Sequence, residues 1–269
     1  MEEKVKGRLV IIGGGEDKTG RCSILQKVVE LSGGNRAHIA VVTVATQNPK
    51  EQGNRYTEIF QSMDVAEVNT VNIQMREDAN DLANIEILKE ASCIFFTGGD
   101  QLRITSLMGG TQGYEVLQKK YEMGIVICGT SAGASAMSET MITSGKDDDT
   151  PRKCTLKMAP GLGLLKGVII DQHFAQRGRI GRLLLAIAQN PNMIGIGIDE
   201  DTGVIVMPNA TLKVIGSNGV TILDGKDCTM TNVSELEPDQ VLGITDIKMH
   251  VLPAGFRYDL SNRKPVIGR

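Results

Sequence analysis

The fold is decided by the stretch Ile125-Val126-Ile127-Cys128-Gly129-Thr130-Ser131-Ala132-Gly133. Its first four residues form a continuous apolar run, which is typical of a strand buried on both faces of a parallel sheet. The next five match the pattern G-x-S-x-G, and a helical run from Ala132 to Thr140 follows. This arrangement places a serine on a sharp strand-to-helix turn with its hydroxyl exposed above the sheet. We therefore predict that Ser131 is a nucleophile at the carboxyl end of a strand.

Short apolar runs and segments of helical period alternate on both sides of this stretch. The predicted strands are Arg8–Ile12, His38–Val44, Ala66–Val71, Cys93–Phe96, Ile125–Cys128, Val168–Ile170 and Ile194–Ile198. The predicted helices are Arg21–Leu31, Asn54–Met63, Ala83–Ala91, Tyr114–Met123, Ala132–Thr140 and Ile180–Gln189. Such repeated alternation predicts an α/β fold with a doubly wound, mostly parallel sheet flanked by helices.

The pattern changes after about residue 203, where short strands follow one another with turns between them. These strands are Val204–Met207, Leu212–Ile215, Val220–Leu223 and Met249–Leu252. No linker rich in Pro, Gly or Ser precedes them. We therefore expect one domain over residues 1–269, with an α/β core at 1–203 and an antiparallel, β-rich C-terminal extension at 204–269.

Composition excludes several classes of protein. The 269 residues include 29 basic and 32 acidic side chains, and only 3% are aromatic. Proteins that bind nucleic acids need excess positive charge or stacking side chains, so we expect no nucleic acid partner. The apolar runs are too short to span a membrane, and the N-terminal segment lacks a signal-peptide pattern. The five cysteines are widely spaced and form no C-x-x-C pair, which indicates thiols in a reducing compartment.

From these features we expect a cytoplasmic protein with no membrane partner, no metal site and no cofactor. The glycine-rich run Gly13-Gly14-Gly15-Glu16-Asp17 does not complete the dinucleotide pattern G-x-G-x-x-G, because position 18 is Lys. The phosphate-binding pattern G-x-x-x-x-G-K-[ST] does not occur either. We interpret the run as a tight turn that lets the backbone approach the site.

Three histidines are candidates for the base that a serine nucleophile needs. His38 begins an early strand, and His250 lies in the C-terminal extension. His173 follows a buried strand, so we predict that it lies at the same sheet edge as Ser131. The acid that would orient this base falls in the run Asp199-Glu200-Asp201, which follows another strand. The spacing does not separate these three acids.

A glycine pair closes the strand Cys93–Phe96, in the run Gly98-Gly99-Asp100-Gln101. The backbone amides of Gly98 and Gly99 are candidates, together with that of Ala132, for an oxyanion hole. The alternative is a turn that leads into a helix capped by Asp100, and both interpretations can hold at once.

Three arginines follow the candidate base closely: Arg177, Arg179 and Arg182. Charged residues at the start of a helix often form only a solvated face. At the edge of a site, however, three guanidinium groups suit the recognition of carboxylates through forked hydrogen bonds. We predict a substrate role for them.

Several strings in the chain together resemble the cyanophycinase family. They are Phe96-Thr97-Gly98-Gly99-Asp100-Gln101, Gly129-Thr130-Ser131-Ala132-Gly133-Ala134-Ser135, Asp171-Gln172-His173-Phe174, Arg177-Gly178-Arg179, Gly197-Ile198-Asp199-Glu200 and Val251-Leu252-Pro253-Ala254-Gly255. The resemblance spans nearly the whole chain, from Gly13 onward. Aspartyl dipeptidases of the peptidase E type are broader relatives that share the glycine pair and the serine turn. The arginine run and the Gly98–Gln101 string favour the cyanophycinases.

The resemblance implies a serine exopeptidase with a fold of the class I amidotransferase/flavodoxin-like type. It would hydrolyse cyanophycin, a polyaspartate whose side-chain carboxylates carry arginine in isopeptide linkage, to β-Asp-Arg dipeptides. By this resemblance Ser131 is the nucleophile, His173 the general base and Glu200 the acid that orients it. The positions that match the family's substrate contacts are Gln101, Asp171, Gln172, Arg177, Arg179 and Arg182. A homodimer is also implied. The loop Asp147-Asp148-Asp149 is a further candidate for binding guanidinium groups.

Three other interpretations use the same serine turn. One is the related aspartyl or isoaspartyl dipeptidase of the peptidase E type. Another is an esterase of the α/β-hydrolase type, in which Ser131 would work with Asp199 or Asp201 and with His250. The last is an amidotransferase-like or non-enzymatic scaffold with the same fold. Amidotransferases of this shape have a cysteine at the turn, whereas this chain has Ser131 there, and Cys128 lies three positions earlier, inside the strand.

Overall fold

The computed structural model describes residues 5–147 and 149–266. The strands within these residues are β1 (Arg8–Ile12), β2 (His38–Val42), β3 (Glu67–Val71), β4 (Cys93–Phe96), β5 (Val126–Thr130), β6 (Thr140–Gly145), β7 (Leu156–Pro160), β8 (Val168–Gln172), β9 (Ile194–Ile198), β10 (Thr202–Val206), β11 (Thr211–Gly216), β12 (Gly219–Asp224), β13 (Lys248–Pro253), β14 (Arg257–Asp259) and β15 (Lys264–Pro265). The α-helices are α1 (Ser23–Leu31), α2 (Pro49–Gln61), α3 (Leu82–Glu90), α4 (Gln101–Met108), α5 (Gln112–Glu122), α6 (Ala132–Ser135) and α7 (Ile180–Gln189). Short 3₁₀ helices lie at Gly34–Arg36, Arg76–Asn80 and Ala175–Arg177.

The larger sheet joins nine of the described strands in the order β15-β14-β11-β10-β1-β5-β4-β2-β3. Its central part is parallel, from β1 through β5, β4 and β2 to β3. On the other side of β1, strands β10, β11, β14 and β15 continue it in antiparallel pairs. The carboxyl ends of β1, β5 and β4 therefore lie side by side, which is where ligands bind in such sheets.

A second sheet of four described strands, in the order β13-β12-β9-β8, packs against the first. Its strands β8 and β9 are parallel, and β12 and β13 are antiparallel additions. The expectation that Ser131 and His173 lie at one sheet edge is therefore wrong in this respect, because β5 and β8 belong to different sheets. The apolar runs of β8 and β9 are buried on both faces, so the sequence pattern is the same whichever sheet they join.

Buried side chains hold the two sheets and the helices together in layers. On one face of the larger sheet, Val41 and Phe95 pack with apolar residues of α1 and α2. On its other face, Ile11 and Ile127 share a core with residues of α4, α5 and the second sheet, including Ile196. Helix α7 covers the outer face of the second sheet. The mixed α/β architecture with a largely parallel central sheet and a C-terminal antiparallel region is thus confirmed.

The segment after the serine turn differs from the prediction. The predicted helix Ala132–Thr140 ends at Ser135, and the chain enters the antiparallel hairpin of β6 and β7, which the sequence pattern did not indicate. The cause is tertiary: the carbonyls of Ala136 and Met137 accept hydrogen bonds from the amides of Leu162 and Leu164. These bonds take the place of the next helical turn. Helix α4 was also absent from the predicted helices, although its N-cap Asp100 was recognised.

Candidate active site

Ser131 lies on the sharp turn between β5 and α6. Its backbone φ and ψ are 52° and −110°, a region that L-residues rarely adopt and that stores strain at functional turns. The turn needs small neighbours, because a Cβ atom on Gly133 would lie 2.6 Å from the carbonyl oxygen of Phe96. The Ser131 amide donates to the carbonyl of Ile12 over 3.0 Å, which ties the turn to the end of β1. The predicted strand and turn are thus present around this serine, and the helix that follows is shorter than predicted.

His173 comes from the second sheet and reaches Ser131 across the gap between the sheets. It directly follows β8, and its amide donates to the carbonyl of Gly13 over 2.8 Å. Its Nε2 atom lies 3.0 Å from Ser131 Oγ. The side-chain oxygen of Gln172 lies 3.4 Å from the same hydroxyl. His173 and Gln172 are therefore both within reach of the serine.

Glu200 is the acid that contacts the histidine. Its Oε1 atom lies 2.6 Å from His173 Nδ1. Asp199 instead accepts hydrogen bonds from the backbone amides of Ala175 and Gly219. Asp201 accepts from the Asp17 amide and the Ser217 hydroxyl. The three neighbouring acids, which spacing alone left undistinguished, thus have different partners, and only Glu200 of the three is bonded to His173.

Burial lowers the pKa of His173 below its ordinary value of 6.5. The hydrogen bond that the ring donates to Glu200 raises the pKa, and the positive charge of Arg177 lowers it further. The neutral imidazole is therefore favoured at neutral pH, and a neutral ring can accept a proton. With Nδ1 hydrogen-bonded to the carboxylate, Nε2 is the acceptor that faces Ser131.

The run Gly13-Gly14-Gly15 is a tight turn packed against these side chains. Gly14 has a φ of +94°, and a Cβ atom there would lie 2.4 Å from Cε1 of the His173 ring. Any side chain at this position would displace the imidazole. The interpretation of this run as a turn that brings the backbone to the site is confirmed.

Three amides near Ser131 are available to a ligand. A Cβ atom on Gly98 would lie 3.4 Å from the Cβ of Ser131, so this glycine is adjacent to the serine. Within residues 5–147 and 149–266, the amides of Gly98, Gly99 and Ala132 have no hydrogen-bond acceptor. Ala132 is the first residue of α6, where the N–H has no partner inside the helix. Their predicted role in an oxyanion hole is compatible with this geometry and stays a prediction.

Two of the three predicted arginines are buried in an ionic cluster. Arg182 donates to both carboxylate oxygens of Asp171, with 2.6 Å between its Nε and Oδ2, and also to Asp147 over 3.1 Å. Arg179 donates to Asp147 over 2.8 Å and to the carbonyl of Gln172 over 2.6 Å. Burial opposes ionisation of Asp147, but the hydrogen bond and charge of Arg179 hold its pKa below the ordinary value. The guanidinium groups of Arg179 and Arg182 are thus already hydrogen-bonded to carboxylates of the chain itself.

The remaining predicted substrate residues differ in what they present. Gln101 is buried, and its amide donates to the carbonyls of Ile142 and Thr143 on β6. Arg177 is exposed, and its guanidinium has no partner in the part of the chain that the structure describes. Asp147, whose loop was a candidate for binding substrate guanidinium groups, instead binds Arg179 and Arg182 of the chain itself. Asp148 lies outside the described residues. Of the predicted contacts, Arg177 is exposed, whereas Gln172 is buried with its side-chain oxygen 3.4 Å from Ser131 Oγ.

A cavity of about 320 Å³ opens beside the serine, and its wall carries charged side chains that were not among the predicted site residues. Gly14, Gly98 and Ser131 contribute to the lining, as do the cations Lys18 and Arg55. Lys18 directly follows the glycine-rich run, so its position gave a signal. Arg55 lies on α2, where nothing in the sequence distinguishes it from other exposed helical arginines.

The alternative arrangements are not assembled. His250 lies on β13, where its ring packs against Tyr258 with 5.6 Å between centroids, and it is not bonded to Ser131. Cys128 is buried inside β5, and burial raises the pKa of its thiol well above the ordinary value. A protonated, enclosed thiol is a poor nucleophile. All five cysteines are free thiols, as predicted.

No helix among the described residues combines the length and apolar character needed to cross a bilayer. No group of three or more His, Cys, Asp or Glu side chains in residues 5–147 and 149–266 is arranged to hold a metal ion.

Comparison with known proteins places the chain in a family. Residues 9–214 match the model of peptidase family S51. The chain is 35% identical to a cyanophycinase of Geminocystis herdmanii over 269 residues, which is 100% of this chain and 99% of the relative. It is 37% identical to a cyanophycinase of Synechococcus elongatus over 256 residues, or 95% of this chain and 80% of the relative.

Solved structures agree on the fold. A peptidase from an acI-B1 Actinobacterium matches with a TM-score of 0.68 and 19% identity, over 92% of this chain and 98% of that one. A putative peptidase E from Listeria monocytogenes matches with a TM-score of 0.55 and 12% identity, over 78% and 98%. The resemblance to cyanophycinases is confirmed, and the chain belongs to peptidase family S51, as a peptidase of the serine type.

Proposed function

We propose that this peptidase is a serine exopeptidase that hydrolyses cyanophycin to β-Asp-Arg dipeptides through Ser131, His173 and Glu200. The observation that carries the proposal is the continuous chain of hydrogen bonds from Ser131 Oγ to His173 to Glu200, with spans of 3.0 and 2.6 Å. The pKa of His173, lowered by burial, keeps the ring neutral and able to accept a proton. The similarity to cyanophycinases along nearly the whole chain supports the choice of substrate.

The first half of the reaction forms an acyl-enzyme. Ser131 Oγ attacks a main-chain carbonyl carbon while its proton moves to His173 Nε2, and the carbonyl oxygen takes the electron pair. The amides of Gly98, Gly99 and Ala132 would hold that oxyanion. The tetrahedral intermediate then collapses, the C–N bond breaks, and His173 gives its proton to the leaving amine.

The second half releases the product. Water loses a proton to His173 and attacks the ester carbon, and the proton returns to Ser131 Oγ as the C–O bond breaks. The arginine isopeptide bond is not involved, so arginine leaves still attached to its aspartate. Glu200 holds the ring in the required tautomer and stabilises the imidazolium that forms twice in each cycle.

The test is incubation of the purified protein with cyanophycin, followed by mass spectrometry of the products. We expect β-Asp-Arg from the unaltered protein. Ser131→Ala and His173→Ala should each lose roughly 10²- to 10⁴-fold or more in kcat, the range supplied by positioned proton transfer. His250→Ala is the matched control and should retain activity, because His250 packs on Tyr258. Retained activity in His173→Ala would contradict the mechanism, and faster turnover of short aspartyl dipeptides would favour a peptidase E-type activity.

The homodimer implied by the resemblance and the cytoplasmic location expected from the cysteines and the N-terminal segment are also part of the proposal. Light scattering coupled to size-exclusion chromatography tests the first, with a mass near twice the 29.0 kDa of one chain as the expected result. Fractionation of the source cells tests the second.

A further inference from the structure

The cavity beside Ser131 has a charged wall that the proposed triad does not use. Lys18 and Arg55 both contribute to it, whereas the arginines that follow His173 do not. The lining also includes Gly98 and Ser131, so this cavity adjoins both the nucleophile and the predicted oxyanion hole. Whatever occupies it lies next to the bond that Ser131 would attack.

Lys18 is a cation held in a fixed position. Its Nζ atom lies 2.9 Å from Glu16 Oε1 and 3.3 Å from the Glu16 carbonyl, and 5.5 Å from the ring centre of Tyr56. Only 15% of the side chain is exposed. An ammonium group has three donors. Two are directed at Glu16, which leaves one for a ligand in the cavity.

Glu16 is not free to bind a cationic ligand. Besides Lys18, its carboxylate accepts hydrogen bonds from the Tyr56 hydroxyl over 2.5 Å and from Thr130 Oγ1 over 2.6 Å. Its side chain is 1% exposed. Burial raises the pKa of Tyr56 well above its ordinary value, so this hydroxyl remains a donor. Glu16 therefore positions Lys18 and does not recognise substrate itself.

Arg55 adds a second positive charge to this wall. It is exposed on α2, and its guanidinium has no partner among residues 5–147 and 149–266. Lys18 and Arg55 against Glu16 leave a net charge of +1 on this wall. A guanidinium presents a planar fork that matches a carboxylate. The wall is thus complementary to a carboxylate and repels the guanidinium groups of an arginine-rich chain.

We propose that Lys18 and Arg55 form a carboxylate-binding subsite that holds an acidic group of the substrate unit next to the scissile bond. This inference rests on the proposed function and specifies which chemical group of the substrate is recognised beside the scissile bond. Two carboxylates in the terminal unit of cyanophycin have the required chemistry: the α-carboxylate of the attached arginine and the free carboxylate of the main chain. Both would bind in the same way, so substrates must distinguish them.

The test uses a dimer of β-Asp-Arg units in three forms: unmodified, amidated at the arginine carboxylates, and amidated at the main-chain terminus. We expect Arg55→Gln to raise KM for the unmodified dimer by about 10- to 100-fold, with kcat changed little, since a hydrogen bond to a charged group is lost. Arg55→Lys should restore part of the affinity. Lys50→Gln removes a positive charge from the same helix outside this cavity and should leave KM unchanged.

With the unaltered enzyme, one of the two amidated dimers should show a rise in KM similar to that caused by Arg55→Gln. The dimer that shows this rise identifies which carboxylate is bound. The same amidation should have little further effect in Arg55→Gln, because the interaction is already absent. Lys18→Met alone leaves a buried carboxylate without its counter-ion, so Glu16→Gln combined with Lys18→Met is the variant that removes the ammonium group and keeps the net charge of the wall at +1. An unchanged KM in Arg55→Gln, or an equal change in Lys50→Gln, would overturn the subsite.

Direct binding separates this inference from the proposed function. Calorimetry of the β-Asp-Arg dimer with Ser131→Ala and with the double variant Ser131→Ala/Arg55→Gln measures binding without turnover. Binding that depends on Arg55, together with failure of the unaltered protein to cleave cyanophycin, would refute the function and support the subsite. Binding that is independent of Arg55 would refute the subsite, whether or not cyanophycin is cleaved.

Discussion

The change Asp171→Asn tests whether this carboxylate contacts substrate or holds the site together. Asp171 is fully buried, and it receives a bidentate pair of hydrogen bonds from Arg182. Its Oδ1 atom also accepts the Gln172 amide over 2.9 Å. Asparagine keeps the shape but loses the charge. Arg182 and Arg179 would then share only Asp147, whose side chain is 39% exposed.

The expected loss of stability follows from this geometry. Removing one partner of a buried ion pair leaves an uncompensated charge and typically costs about 3–5 kcal/mol. At about 2–4 °C per kcal/mol for chains of around this length, the Tm should fall by roughly 6–20 °C. The companion change Arg182→Met should make the double variant less destabilised than the sum of the two single variants, because the buried charge has gone as well.

Thermal unfolding followed by circular dichroism measures this, with kinetics on cyanophycin alongside. Asp149→Asn is the matched control: Asp149 pairs with Lys146 at the surface over 3.6 Å, where an ion pair contributes about 0–1 kcal/mol. If Asp171→Asn keeps the Tm of the unaltered protein while KM rises, the reasoning is refuted and Asp171 contacts the substrate.

Three further changes test the site itself. Because the pKa of His173 is lowered, we expect kcat/KM to fall on the acid side of its pH profile below about pH 6.5. Glu200→Gln should move this fall to still lower pH, since Glu200 raises the pKa of His173. A shift to higher pH would contradict this. Arg177→Gln removes a charge that lowers the same pKa, so the fall should move to higher pH, and less so at high salt; an unchanged profile at low salt would show that Arg177 does not act on the base. Gly133→Ala brings a Cβ within 2.6 Å of the Phe96 carbonyl and should cost about 1–3 kcal/mol, with a lower kcat; an unchanged Tm and kcat would contradict the steric argument.

Much of the fold could be predicted because its strands are short, continuous apolar runs between helical segments. Such runs show that a strand is buried on both faces, but not which neighbour it pairs with. For that reason β8 and β9 were expected in the same sheet as β5, whereas they belong to a second sheet. The hairpin of β6 and β7 was missed for another reason: the helical pattern after Ser131 is overridden by hydrogen bonds from residues more than twenty positions away.

The site was predictable to different degrees. Ser131 and His173 follow from motif and position, because few residues of the right type stand at the ends of buried strands. The arginines show the limit of such reasoning. Arg179 and Arg182 were predicted to bind substrate, yet Asp171 and Asp147, the latter more than thirty positions earlier in the chain, form ion pairs with both. A sequence pattern reports which charges are present, but not which are already paired.

The different partners of the three acids explain how residues from two sheets keep the hydrogen bonds between Ser131, His173 and Glu200 in place. The run Asp199-Glu200-Asp201 is the link between β9 of the second sheet and β10 of the first. Asp199 binds the amide of Gly219 on β12, and Asp201 binds the amide of Asp17 just beyond β1. The flanking acids therefore fasten the link to both sheets, and Glu200 between them is left to hydrogen-bond His173. Strand β5 of one sheet leads to Ser131, and β8 of the other leads to His173. A link anchored to both sheets therefore keeps Ser131, His173 and Glu200 at hydrogen-bonding distance.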